Sequence, residues 1–143
     1  MASKLYGNFL LKALNKEVDF DTDTIKVALL TSSYTPDQDA HDYFNDVSAN
    51  EVSGTGYTAG GYTLASKTAT YDSGTNVIVL DAADVTWSSS TITARYAVVY
   101  DATGTASTSA LIGYVDFGSD QSSTNGNFTI TWDSTGIVRI TVA

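Results

Sequence analysis

The chain contains no cysteine in its 143 residues. Disulfide staples, thiolate nucleophiles and cysteine-ligated zinc are all excluded by that absence, which fits assembly in a reducing cytoplasm. Proline and histidine occur once each, as Pro36 and His41. Basic residues are scarce too: seven Lys and Arg face sixteen Asp and Glu, for a net charge of −9 and a pI near 4.1. Such a surface repels phosphate backbones and anionic lipid, so neither nucleic acid nor membrane is an expected partner. No apolar run approaches the ~20 residues that a membrane-spanning helix needs. Asn8, Lys12, Asn15 and Lys16 interrupt the stretch after Lys4 where a secretory signal would be apolar. The sequon Asn127-Phe128-Thr129 accordingly reads as strand sequence.

What the chain does have is Thr, Ser, Val, Tyr and Gly, a composition suited to half-buried pleated surfaces. Its length suits one domain, residues 1–143, burying roughly 70% of the surface that the unfolded chain exposes. One stretch has helical period. In "SKLYGNFLLKALNKEV" Ser3 can cap, Leu5, Phe9 and Ala13 fall on one stripe, and Leu10 and Leu14 widen it; a helix over about 3–16 is predicted. Alone it would be marginal, so its stripe needs a sheet or a neighbouring subunit to cover it.

From Asp23 the period becomes two. "TIKVALLT" sets Ile25, Val27 and Leu29 against Lys26, Ala28 and Leu30, and "TITARYAVVYD" sets Tyr96, Val98 and Tyr100 against Ala97 and Val99. Between them, residues 32–61 read as a long surface loop, with a short helical turn near Asp39 to Phe44. Loops of that length are uncommon unless they bind something or pack on a partner. Turns are predicted at Asp72-Ser73-Gly74, at Asn125-Gly126 and from Asp133 to Gly136. Six to eight antiparallel strands at this spacing give an all-β fold class: a β-sandwich or jelly-roll-like barrel with one N-terminal amphipathic helix.

The candidate chemical motifs are weak. "DFDTDTIKVALL" opens like a calcium loop, with Asp19, Asp21 and Asp23 at positions 1, 3 and 5. Position 6 is Thr24 where a glycine belongs, and position 12 is Leu30 where a bidentate glutamate belongs. A solvated turn before a strand is the preferred reading; an irregular calcium site is the competing one. "GTGYTAGG" lacks the spacing and the following helix of a phosphate loop. His41 lies between Asp39 and Asp42, but no Gly-x-Ser-x-Gly elbow offers it a nucleophile. Sixteen acids allow many glycosidase-like pairs and single out none. Trp87, Trp132 and the tyrosines could form a sugar-stacking face, although their strand patterns favour core packing. Neither an enzymatic activity nor a cofactor is expected, and a glycan partner stays open without support.

Four stretches carry a resemblance: "KLYGNFLLKALNKEVDFDTDTIKVALLTSSYTPDQDAHDYFNDV", "GTGYTAGGYTLA", "DVTWSSSTITARYAVVYD" and "YVDFGSDQSSTNGNFTITWD". Together, from about Lys4 to Ile137, they resemble a group of small structural proteins encoded by tailed bacteriophages. The resemblance implies a virion structural protein with no catalytic residues to carry over. It points to a head decoration (cement) protein made in the host cytoplasm, bound to the outer capsid surface. The expected partners are the major capsid protein and other copies of the chain in a homotrimer. A tail or fibre-associated component is the first alternative, and a carbohydrate-binding adhesion module the second. The segments expected to make contacts are Lys4, Leu5 and Tyr6, the stripe residues Leu10 and Leu14, and the glycine loop with Tyr57, Gly60, Gly61 and Tyr62.

Overall fold

The computed structural model describes residues 2–142. Strands β1 (Ala2–Leu5), β2 (Ile25–Leu30), β3 (Tyr62–Thr63), β6 (Val85–Asp101) and β7 (Leu111–Ile130) form a five-stranded sheet in the order β1-β7-β6-β2-β3. Strands β4 (Thr68–Asp72), β5 (Val77–Asp81) and β8 (Val138–Thr141) form a second sheet in the order β4-β5-β8. All of these pairings are antiparallel. The fold is an all-β sandwich with a single α-helix, α1 (Phe9–Leu14).

Alternation decides which residues meet. Ile25, Val27 and Leu29 of β2 share a face with Ala97 and Val99 of β6, and they pack toward Leu80 and Val138 of the second sheet. Ala28, Leu30, Val98 and Tyr100 point the other way, onto Tyr6, Tyr34, Phe44 and Val47. Both faces of the central strands are therefore buried, which is why "VALL" and "YAVVY" are apolar without interruption.

The cover on that second face comes largely from residues 32–50, while Val52 and Tyr57 of the predicted loop 32–61 pack on the first face. The segment is not a bare surface excursion. It holds 3₁₀ turns at Phe44–Asp46 and Ser48–Asn50, and its Val47 and Tyr34 are 0% and 2% exposed. The helical turn predicted at Asp39 to Phe44 falls a few residues later.

The N-terminal helix is also shorter than its period suggests. Ala2–Leu5 form β1, paired in register from Ala2↔Asp116 to Leu5↔Gly113, and Tyr6 N–H donates to Ile112 O at 3.1 Å. An unfilled edge of β7 outcompetes a helix that would be marginal alone. Ser3 is thus a strand residue, and α1 starts after Asn8 with no side-chain cap.

The segments read as separate strands fuse into one long ribbon, β6 with 17 residues against β7 with 20. Asn125-Gly126 does not reverse the chain; it lies within β7, where Ser90 pairs with Gly126. Register shifts flank Ser90, and Ser89 and Asn125 take left-handed φ of 49° and 47°. These bulges bend the ribbon. Ser90, 0% exposed, stitches the bend through Ser123 Oγ at 2.7 Å and Gly126 O at 2.9 Å. The turn at Asp72 to Gly74 joins β4 to β5, whereas the turn from Asp133 to Gly136 carries the chain from one sheet to the other.

Candidate assembly surface

Helix α1 is amphipathic in an unusual sense. Its buried side chains are Phe9 and Lys12, at 2% and 7% exposure, while Leu10, Leu11 and Leu14 stand 43%, 57% and 83% exposed. The predicted stripe is therefore half right: Phe9 and Ala13 face the core, but Leu10 and Leu14 do not.

Lys12 explains the orientation. Its ammonium donates to Asp42 O at 3.0 Å and to Asp42 Oδ2 at 3.1 Å, with Glu17 Oε2 at 3.9 Å. It also sits 3.1 Å from the centre of the Tyr43 ring, whose hydroxyl donates to Glu17 Oε2 at 2.7 Å. A buried ammonium requires such partners. Satisfying it rolls Phe9 inward and the three leucines outward. Lys12 and Leu11 were missed in the sequence, where Lys12 looks like ordinary polar surface. Leu10, Leu11 and Leu14 do form a stripe of their own at i, i+1 and i+4, and that was the available signal.

The other expected contact residues divide. Lys4 is exposed on the edge strand β1, Leu5 is half-buried, and Tyr6 is buried at 1% exposure. The Tyr6 hydroxyl meets Tyr34 Oη at 2.8 Å, and Tyr34 Oη lies 3.0 Å from His41 Nδ1. Burial raises both phenols, Tyr34 to about 12, so they stay protonated. His41 is thereby a fixture of the packed segment.

In the glycine loop, close approach is to the chain itself. A Cβ on Gly61, at φ +83°, would lie 2.0 Å from Val27 O. Gly60 N–H donates to Glu51 Oε1 at 2.6 Å, and Gly60 O accepts from Tyr100 Oη at 2.6 Å. Tyr57 Oη donates to Glu51 Oε1 at 2.6 Å and accepts from Leu29 N–H at 3.0 Å. Of this loop's four expected residues only Tyr62, 43% exposed and edge-on to Trp87, offers free ring surface. The large indole beneath it is core, since Trp87 is 4% exposed, and Trp132 Nε1–H donates to Ala83 O at 3.1 Å.

The acidic turn binds its own backbone. Asp19 Oδ1 accepts from the N–H groups of Asp21 and Thr22, both at 3.2 Å, and Asp23 Oδ2 accepts from Asp19 N–H at 2.9 Å. Lys67 donates to the carbonyls of Phe20 and Asp23. Among the described residues no group of three His, Asp or Glu is placed to hold a metal ion. Asp101, at the end of β6, is the odd carboxyl here. It is 3% exposed and its Oδ2 has no hydrogen-bond partner. Burial, with the Asp23 carboxyl beside it, pushes its pKa up to about 7.

A groove of about 780 Å³ runs along the part of β7 that β1 leaves unpaired, floored by Phe117, Phe128, Ile130 and Trp132. No family model matches the chain, and neither a curated protein nor a solved structure matches it.

Proposed function

We propose that the protein is a bacteriophage head decoration (cement) protein, which binds the outer face of an assembled capsid and stabilises it. The observation that supports this reading is the leucine face of α1, held outward by a buried lysine on a rigid sandwich. Burying an apolar face of this kind against a partner is favourable. The resemblance to small tailed-phage structural proteins supplies the class of partner, the major capsid protein, and the expected trimeric form.

The mechanism is mechanical. A protein that binds only the assembled shell adds its binding free energy to that state, opposing disassembly and internal DNA pressure. Several attachment points per oligomer let individually weak contacts hold firmly. The −9 charge faces outward, and the basic N-terminal segment with Lys4 and Lys16 turns toward the shell.

The test is to add purified protein to mature capsids that lack it and to follow binding and DNA release on heating. Saturable binding in a fixed ratio to capsid subunits is expected, with release shifted to higher temperature. Leu14→Asp, at a side chain 83% exposed, is expected to lower binding while leaving the fold intact. Binding to isolated tails with no binding to capsids would replace this reading with a tail or fibre-associated role.

A further inference from the structure

Strand β7 carries an Asn-Gly pair that the fold does not use as a hairpin turn. Asn125 is exposed and takes a left-handed φ of 47°, a region that asparagine tolerates better than most residues. Its N–H donates to Thr91 Oγ1 at 3.1 Å, which holds the backbone. Its side-chain amide has no hydrogen-bond partner among the described residues.

Gly126 is the more telling residue of the two. Its φ is not left-handed, and a Cβ built on it would meet only Thr124 O, at 3.5 Å, an ordinary contact. Neither space nor conformation calls for glycine here. Its pairing with Ser90 stands alone between two register shifts, so no continuous ladder clamps this peptide. The side-chain bond to Gly126 is made at its oxygen, from Ser90 Oγ at 2.9 Å, and not at its nitrogen.

We propose that Asn125-Gly126 is a site of spontaneous covalent rearrangement. The Gly126 nitrogen gives up its proton and bonds to Asn125 Cγ; the Cγ–Nδ2 bond breaks, and Nδ2 leaves with that proton as ammonia. The product is a five-membered succinimide. Water then opens the ring. Attack at Cγ leaves aspartate, and attack at the backbone carbonyl leaves isoaspartate, in which the chain runs on through Cγ. Only water is consumed, and no cofactor is needed. The step depends on an unhindered nitrogen after the asparagine, which glycine alone supplies by lacking Cβ. The other asparagines precede Phe9, Lys16, Asp46, Glu51, Val77 and Phe128. Two of those amides are tied as well: Asn76 Oδ1 accepts from Tyr71 Oη at 2.7 Å, and Asn45 Nδ2 donates to Asp46 Oδ1 at 3.4 Å.

The product changes the bend that Ser90 stitches. Each event adds a carboxylate to a chain whose net charge is already −9. The isoaspartyl form also inserts a methylene into the backbone beside Gly126 O, the acceptor of Ser90 Oγ. This inference goes beyond the decoration role and does not depend on it.

The experiment incubates the folded protein at mildly alkaline pH, with a second sample unfolded in urea. Peptide mapping follows every asparagine, and isoaspartyl-specific methylation gives a second readout. In the folded protein Asn125 is expected to convert ahead of all the others, to a mixture of aspartyl and isoaspartyl forms, and the melting temperature should fall as it does. Gly126→Ala, which the open space around the residue accommodates, should slow conversion by about tenfold or more. Asn125→Gly keeps the left-handed backbone and removes the amide, so its melting temperature should stay constant over the same incubation. Asn125 that stays intact in the folded protein, whether or not the urea sample converts, overturns the proposal. So does a Gly126→Ala variant that converts at the parent rate, or another asparagine that reacts faster.

Discussion

One face of the five-stranded sheet is closed mainly by a second sheet, the other mainly by irregular chain that carries Tyr34, Phe44 and Val47. The two covers are held in different ways. The second sheet satisfies its backbone through its own ladder, so the layer beneath it can be apolar and nearly free of side-chain hydrogen bonds. The irregular cover has little ladder, joining the sheet only at bridges such as Leu30↔Glu51 and Tyr43↔Ala110. Its backbone N–H groups turn to carboxylates instead. Asp46 Oδ2 accepts from Asp42 and Tyr43, and Glu51 Oε1 from Gly60. Tyrosine hydroxyls supply the remaining ties. An irregular layer can close a core when acids and phenols take over the role of a missing strand.

Leu29 and Leu30 allow the comparison to be tested at neighbouring positions. Both are 0% exposed, Leu29 under the second sheet and Leu30 under the irregular cover. Each truncation to alanine should cost about 2–5 kcal/mol by urea denaturation. Leu29→Ala should cost the more, because a sheet cannot collapse into the cavity as an irregular segment can. Equal costs would mean that the two covers are equally rigid.

Asp101 is the unsatisfied group of the apolar layer, and it gives the next effect. Its folded pKa of about 7 lies above the ~3.9 of an unfolded aspartate, so the folded state binds the proton more tightly. Its contribution to stability is full below pH ~4 and is lost as pH rises through 7. Asp19, Asp37 and Asp133, whose pKa values are lowered by hydrogen bonds, act in the opposite sense and complete their titration at lower pH. Asp101→Asn should therefore flatten the fall in stability between pH 5 and 8, by on the order of 2–4 kcal/mol across the window. A parent and variant with parallel pH profiles would show that burial does not raise the Asp101 carboxyl.

Tyr34→Phe probes the other layer. It removes the hydroxyl shared by Tyr6 and His41 with little change of volume, and should cost roughly 1–2 kcal/mol. The loss should appear as faster amide exchange across residues 34–52 with the second sheet unaffected. Uniform loss of protection would argue that the layers unfold as one.

The smallest effect concerns the acidic turn. Its carboxylates are occupied by the N–H groups of the same turn, so millimolar calcium should leave the melting temperature unchanged. A rise of several degrees, reversed by chelator and absent in Asp21→Ala, would restore the ion-site reading.

Much of the sandwich could be read from alternation. The central strands, their two apolar faces and the turn at Asp72 to Gly74 all follow from local pattern. What pattern could not show depends on partners distant in sequence. β1 takes strand form because β7 offers it an edge, and α1 rolls its leucines outward because Asp42 and Tyr43 wait for Lys12. Ser88, Ser89 and Ser90 lie within β6, where Ser90 finds Ser123 across a bulge that no local pattern announces. In the glycine loop, Gly61 makes its close approach to β2 of the same chain, and Gly54 and Gly56 make theirs to β6. Of the expected contact residues, the exposed leucines were named for a burial that this chain does not itself provide.

The register of β1 has a consequence for the order of events during synthesis. Ala2 to Leu5 take their ladder from residues 113–116, so this segment finds its place only when the chain has been made as far as Asp116. β2 likewise waits for Tyr96 to Asp101. Such long-range closure slows folding, because the entropy of a large loop must be overcome before any contact rewards it. Until then the nascent chain carries the leucines of α1 without the strand that anchors them. The exposed leucines of α1 are consequently fixed in place late, once β1 has paired with β7.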